Sequence, residues 1–277
     1  MSGVSLEQRR RRYAAEITRH GGIYHERVEE AFATTPRENF LTPPPWMIFA
    51  PGGLFNDETS DPVELYQDVL VVLDRSRGIN NGQPSLHAAW MAALDPQPGE
   101  TVLHIGAGTG YYTAILAQLV TPGGRVHAYE IEEDLAEVAR VNLAAFEGVT
   151  VHAASGVGTA LPDGDVVYVN ASASAPDIAW LEALKPSGRL IFPWQAVRQR
   201  GGIALQVTRT THGYRAAAIM EVAFIPCVGA MSDPASGAPA RTRDVMETRS
   251  IWLSRERPPD DSAIVVYDQV WLSSQAI

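Results

Sequence analysis

The stretch Leu103-His104-Ile105-Gly106-Ala107-Gly108-Thr109-Gly110-Tyr111 decides the fold. Thr101-Val102-Leu103-His104-Ile105 reads as a short buried strand. Tyr112, Ile115, Leu116 and Leu119 then recur at helical spacing. Between them lie three glycines. Glycine lets a backbone bend sharply and lets a ligand approach with no Cβ in the way. The helix that follows offers N–H donors at its first turn. A dinucleotide turn prefers G-x-G-x-x-G. Here the glycines stand at 106, 108 and 110, and Tyr111 occupies that pattern's third position. The spacing suits a ligand with an amino-acid end and no pyrophosphate.

Working outward, strand and helix alternate. Pro122-Gly123-Gly124 makes a turn, and Arg125-Val126-His127-Ala128-Tyr129-Glu130 is a second strand. Leu135, Val138, Ala139 and Phe146 mark a second helix. Residues 149–153, 165–170 and 189–192 are further strands. This alternation predicts an α/β fold: a Rossmann-like, doubly wound, mostly parallel sheet with ligands at the strand ends. Glu130 ends the second strand, near the interval of about 20 residues at which such folds place a ribose-binding acid. A carboxylate accepts from two vicinal hydroxyls. The competing reading is a structural turn followed by a solvated glutamate.

Upstream, Val28, Ala31 and Phe32 give helical spacing ended by Pro36. The insert 42–62, through Pro43, Pro44, Pro45, Gly53 and Asn56, reads as loop. Pro84 opens a helix over 84–94, with Leu86, Ala89, Trp90, Ala93 and Leu94 on one face. Downstream, 203–208 and 214–220 read as a hairpin around Thr211-His212-Gly213. Residues 232–240 form a loop, and strands are expected at 264–267 and 270–272. These last strands either extend the sheet or meet a second subunit. The predicted organisation is a helical, substrate-side region at 1–95, a cofactor domain at 96–230 and a β extension at 231–277.

The chain has 277 residues and a formal net charge of −10. That balance opposes general nucleic-acid binding, which needs basic surface. Arg9, Arg10, Arg11 and Arg12 either touch an acidic partner or form the solvated face of a helix with Tyr13, Ala14 and Ile17 inward. The lone Cys227 forms no intrachain disulfide, fits a reducing compartment and sits in an apolar run as core. No stretch approaches the ~20 apolar residues of a bilayer span, and no signal-peptide pattern follows the arginines. A cytoplasmic protein without membrane partners is expected. His20 with His25, and His104 with His127, lack metal-ligand spacing, so no metal is expected.

The chain resembles the protein-L-isoaspartate O-methyltransferase family. The resemblance rests on 102–111, 126–131, 165–176 and 184–193. It rests further on Pro36-Arg37-Glu38-Asn39-Phe40, on Tyr66-Gln67-Asp68 followed by 78–88, and on 223–229, which looks like the family's closing strand. It spans roughly residues 25 to 230. It implies S-adenosyl-L-methionine as cofactor. Gly106, Ala107, Gly108, Thr109, Gly110 and Tyr111 would hold its methionine end, and Glu130 with Ile131 its ribose. Ser155-Gly156 would lie by the adenine, and Asn170 would edge the pocket. It also implies a carboxylate acceptor on an isoaspartyl or aspartyl residue, met by Asn80, Asn81, Gly82 and Gln83. Family members usually carry serine where Gly82 stands, and Asp-Gly where Ser155-Gly156 stands. Asn80 or Asn81 either replaces the lost donor or simply makes an Asn-Gly turn. The departures leave open a different small-molecule or peptide acceptor, or a catalytically silent cofactor-binding protein. Tyr111, Tyr112, Trp46, Trp90 and Trp194 either wall the pocket or pack. Oligomeric state is not legible.

Overall fold

The computed structural model describes residues 4–20, 24–49, 56–237 and 240–277. In chain order the elements are α1 (Leu6–His20), α2 (Glu26–Thr34), β1 (Trp46–Phe49), β2 (Asn56–Thr59), β3 (Leu70–Asp74), β4 (Ile79–Asn80) and α3 (Pro84–Leu94). Then come β5 (Thr101–Ile105), α4 (Tyr111–Val120), β6 (Arg125–Glu130), α5 (Glu133–Asn142), β7 (Val149–Ala153), β8 (Gly164–Val169) and α6 (Ile178–Glu182). The chain closes with β9 (Leu184–Trp194), β10 (Gly202–Arg209), β11 (Tyr214–Val222), α7 (Thr242–Val245), β12 (Ser250–Leu253), β13 (Ala263–Val266) and β14 (Val270–Ser273). Their contacts divide into two compact units. The first is Met1–Glu100 with Ala107–Ala154; the second is Thr101–Gly106 with Ser155–Ile277.

In the first unit α1 buries Tyr13, Ala14 and Ile17 as expected. Arg11 and Arg12 are exposed, whereas Arg9 and Arg10 are half-buried, and Arg10 donates to Ala33 O at 2.7 Å, so only part of the arginine run is a solvated face. α3 begins with Pro84 at its first helical position and buries Trp90 completely. β6 and β7 pair in parallel, Val126 with Val149 through Glu130 with Ala153. α5 ends at Asn142, so Phe146 lies beyond the helix that its spacing suggested.

The insert is not the loop that its prolines suggested. β1 and β2 form an antiparallel hairpin, Trp46 opposite Thr59, and β1 also pairs with β3. Trp46 and Ile48 alternate inward onto Leu65, Val69 and Val71, a small core that repays the strand. The prolines precede the strand rather than interrupt it. Gly53 lies outside the described residues. β3 and β4, which no pattern announced, complete a four-stranded sheet ordered β2-β1-β3-β4.

In the second unit β5, β8 and β9 are parallel. β10 then runs antiparallel to β9 and pairs with β11 as the expected hairpin. The tail extends this sheet: β12 pairs with β11, β14 with β12 and β13 with β14, all antiparallel. It covers an edge that would otherwise present unpaired N–H and C=O groups. The expected closing strand over 223–229 is absent. That segment makes a single bridge, in which Ser172 N donates to Ile225 O and Cys227 N to Ser172 O, each at 2.8 Å. In the expected loop 232–240, residues 238–239 lie outside the described residues. An α/β fold whose central strands run parallel, with a helical entry and an antiparallel β tail, is therefore the architecture, and its parallel centre is what the alternation predicted.

Candidate functional site

Most of the glycine turn and the strand-end acid belong to the first unit. Gly108 and Gly110 both hold positive φ, at 54° and 96°, where a side chain is disfavoured. A Cβ at Gly110 would stand 2.8 Å from Leu143 Cδ1, so the turn also needs glycine for packing. Gly108 N donates to Glu130 Oε2 at 2.6 Å, and Glu132 N donates to Glu130 Oε1 at 3.0 Å. Glu130 is only 6% exposed. Burial pushes its carboxyl above the ordinary range, and the amide donors act against that rise. Asn142 Nδ2 donates to Thr109 O at 2.9 Å and ties α5 to the turn. Ala107 N donates to Tyr129 O. Ile131, next to the acid, is largely exposed.

The same unit holds Asn80, Asn81, Gly82 and Gln83, the residues expected to meet an acceptor. Asn80 Oδ1 accepts from Gly82 N at 2.9 Å, a local turn that places Gly82 at φ 73°. Asn81 is buried, and its Oδ1 accepts from Val71 N and from Arg37 Nη2, both at 2.9 Å. Its Nδ2 is buried with no protein partner. Gln83 Nε2 donates to Asp68 Oδ2 at 2.7 Å. Asp68 also accepts from Ser85 N at 2.8 Å, which fixes the first turn of α3. Tyr112, in the first turn of α4, donates its hydroxyl to Gly82 O at 3.2 Å. The helix after the glycine turn is thus tied directly to the loop that carries Gly82.

Three residues stand out here that the sequence left without a role. Arg37 is fully buried and donates to Leu65 O, Val69 O and Asn81 Oδ1. His87 is buried and stacks on Tyr112 with ring centroids 3.7 Å apart. Asp68 holds Gln83 and Ser85. A charged or polar residue inside an otherwise apolar helix, as His87 is in α3, was the available signal.

The second unit holds Gly106, Ser155, Gly156 and Asn170, the other residues expected to meet the cofactor. Gly106 takes φ 78°, and a Cβ there would touch Asn170 Cβ at 3.4 Å. Asn170 follows β8, and its Nδ2 bonds to His104 Nε2 at 2.9 Å while its Oδ1 is buried without a protein partner. His104 is neutral, because complete burial lowers its pKa to about 3. Ser155 Oγ accepts from Val157 N at 3.1 Å within its own turn. Gly156 O accepts from Trp180 Nε1 at 2.6 Å. The chain runs directly from Gly106 to Ala107 and from Ala154 to Ser155, so the predicted cofactor residues are shared between the units.

Within the first unit, a turn with glycine at 108 and 110 and a buried strand-end carboxylate fit the amino-acid end and the ribose of an adenosyl sulfonium. Among the described residues no group of three or more His, Cys, Asp or Glu is placed to hold a metal. No helix among them is long and apolar enough to cross a membrane.

A parallel α/β sheet, a glycine turn without pyrophosphate spacing and a strand-end acid define an S-adenosylmethionine-dependent methyltransferase. The family model described as Protein-L-isoaspartate(D-aspartate) O-methyltransferase matches residues 8–232, and the chain belongs to that family. A protein-L-isoaspartate O-methyltransferase of Aeropyrum pernix is 34% identical over 79% of this chain and 79% of its own length. One of Methanopyrus kandleri is 30% identical over 79% of this chain and 91% of its own. A solved protein-L-isoaspartate O-methyltransferase shares the fold, with a TM-score of 0.68 at 22% identity over 96% of this chain and 88% of that one. So does one from Plasmodium falciparum solved with S-adenosyl-L-homocysteine, with a TM-score of 0.63 at 18% identity over 79% of this chain and 97% of that one.

Proposed function

We propose that the chain transfers the methyl group of S-adenosyl-L-methionine to the free carboxylate of an isoaspartyl residue in a peptide or protein. Family membership supports the reaction. The observation that carries the site is the hydrogen bond from Tyr112 to Gly82 O, which fastens the acceptor-side loop to the helix of the cofactor turn. In this reading 96–230 is the cofactor domain, 1–95 supplies the acceptor side and 231–277 extends the sheet. Gly106, Ala107, Gly108, Thr109, Gly110 and Tyr111 take the methionine end. Glu130 and Ile131 take the ribose, Ser155 and Gly156 the adenine, and Asn170 borders the pocket. Asn80, Asn81, Gly82 and Gln83 meet the acceptor. The protein works in the cytoplasm, where its buried single cysteine stays reduced.

The bound cofactor supplies an electrophilic methyl on a sulfonium. A carboxylate is already ionised at neutral pH, so the chain's residues need not remove a proton. Their work is alignment and exclusion of water, which supplies as much as about 7–11 kcal/mol in favourable cases. The helix dipole and first-turn amides of α4 favour the cofactor's own carboxylate.

The test is incubation with labelled cofactor and an isoaspartyl peptide. A base-labile methyl ester is expected, and none at any enzyme concentration would overturn the reading. A second reading is methyl transfer to a different acceptor. It is favoured by Gly82, where the positive φ and the neighbouring His87 leave no room for the family's serine. Turnover of another carboxylate with none of the isoaspartyl peptide would establish it.

A further inference from the structure

Asn81-Gly82 is the one Asn-Gly pair in the sequence. Such a pair is chemically labile: the glycine's backbone nitrogen can attack the asparagine Cγ, and no Cβ hinders the approach. The loop at 80–82 holds every group that this step needs. Asn81 N donates to Val71 O and Val71 N donates to Asn81 Oδ1, both at 2.9 Å, so the backbone and the side chain of Asn81 pair with one residue of β3. Arg37 Nη2 donates to the same Oδ1 at 2.9 Å. Asn81 is 8% exposed, and its Nδ2 is buried. The electrophile is thus fixed, and two donors on Oδ1 would steady the charge that an attack on Cγ creates. The nucleophile is turned away from it. Gly82 N donates to Asn80 Oδ1 at 2.9 Å, and Gly82 O accepts from the Tyr112 hydroxyl at 3.2 Å.

An amide nitrogen attacks with the in-plane lone pair that deprotonation uncovers, and that pair lies where the N–H bond lay. At Gly82 it faces the oxygen of Asn80 rather than Cγ of Asn81. Closing the ring requires the 81–82 peptide to turn, which breaks the bonds to Asn80 and Tyr112 together. We propose that Asn81-Gly82 is a latent deamidation site, kept intact by the hydrogen bond from Gly82 N to Asn80 Oδ1 and by the hold of Tyr112 on Gly82 O. When that lock opens, Gly82 N loses its proton and bonds to Asn81 Cγ. The Cγ–Nδ2 bond breaks, and Nδ2 takes up a proton and leaves as ammonia. Water then opens the five-membered imide at either carbonyl, which leaves an aspartyl or an isoaspartyl residue at 81. The step needs no oxidant or reductant. It concerns the covalent lifetime of this loop and does not rest on the proposed acceptor.

The experiment incubates the full chain at mildly alkaline pH and follows the proteolytic peptide that carries residues 81 and 82 by mass spectrometry. The readout is the rate at which the amide of Asn81 becomes a carboxyl. The folded chain is expected to react at least about tenfold more slowly than the same chain unfolded in urea, because the loop must first open locally. N80A removes the acceptor of Gly82 N and is expected to react about tenfold faster than the unaltered chain. N80D keeps an acceptor oxygen and is expected to stay near the unaltered rate, a contrast that general loosening of the loop would not produce. Thermal melts serve as the control on folding. Equal rates in the folded and the unfolded chain overturn the proposal. So does an N80A chain that reacts no faster, or an N80D chain as fast as N80A. Should N80A fail to fold, Y112F decides: a rate several-fold above that of the unaltered chain supports the lock, and an unchanged rate overturns it.

Discussion

The amide of Gly108 donates to the carboxylate of Glu130 at 2.6 Å, so the cofactor turn and its acid form one hydrogen-bonded piece. The buried carboxylate accepts from the backbone of residues 108 and 132, and in the proposed reading its remaining lone pairs take the ribose hydroxyls. Replacing Glu130 by alanine is expected to weaken S-adenosyl-L-methionine binding about ten- to hundredfold by calorimetry. An unchanged affinity would break the ribose assignment.

The same acid sets a pH dependence. Burial raises the Glu130 pKa, so the group holds its proton at pH values where a free glutamate is ionised. Its ionised form is the better acceptor for ribose hydroxyls. Cofactor affinity is therefore expected to fall as the solution is acidified through that raised pKa. E130Q should flatten the profile. For stability the sign is reversed: a raised carboxyl pKa favours the fold below the unfolded-state value, and that contribution is lost as pH rises through the folded one.

His104 gives a separate acid sensitivity. Its folded pKa of about 3 lies below the unfolded value of 6.5. The unfolded chain then binds a proton that the fold refuses. Stability from this group is complete above pH 6.5 and is lost as pH falls, by about 1.4 kcal/mol per pH unit until the folded pKa is reached. Denaturant melts across that window should show a shallower loss in H104Q. An identical slope would locate the sensitivity elsewhere.

Arg37 is a buried cation that donates to neutral acceptors: Leu65 O at 2.9 Å, Val69 O at 2.7 Å and Asn81 Oδ1 at 2.9 Å. Its guanidinium also lies over the Tyr111 ring at 5.8 Å. Removing the fork strands several acceptors at a cost of about 1–3 kcal/mol each. R37M is expected to lower the melting temperature by several degrees or more, and R37K to rescue little, since an ammonium lacks the planar fork. Full stability in R37K would show that charge alone suffices.

Arg77, at the β3–β4 turn, reaches Glu132 at 2.5 Å and Asp134 at 2.6 Å, next in sequence to Glu130. Leu73, at the other side of that turn, lies 3.3 Å from where a Cβ on Gly108 would stand. The hairpin therefore lies against the cofactor turn and is held down by exposed ion pairs, which salt screens. R77Q is expected to speed dissociation of S-adenosyl-L-homocysteine several-fold at low salt and to remove the salt dependence of that rate. Stopped-flow displacement measures it, and a rate equal to that of the unaltered chain would deny the hairpin any hold on the ligand.

The legible parts of the molecule were those with a local cause. The strands 101–105 and 125–130 and the helices around them are apolar runs of the right length, so their periodicity survives into the structure. The insert failed because Pro43, Pro44 and Pro45 dominate its reading, while the partners that make Trp46 and Ile48 a strand, Leu65 and Val71, lie further along the chain. The closing strand over 223–229 failed for the opposite reason. Its apolar composition allowed a strand, but among the described residues it makes an isolated bridge with Ser172 rather than a ladder. β12 was missed because Ser250-Ile251-Trp252-Leu253 is short, and only β11 and β14 on either side make it a strand.

By itself the sequence determined the alternation of strand and helix, the glycines that must take positive φ and the acid that ends β6, because each follows from the conformational range or periodicity of neighbouring residues. The tertiary structure alone decided that Arg37 would reach Asn81, that Asn170 would rest on His104, and that an imidazole would stand where a side chain at 82 would begin. Those outcomes depend on ångström-scale packing between segments joined only by folding, and hydrophobic periodicity carries no record of such distances.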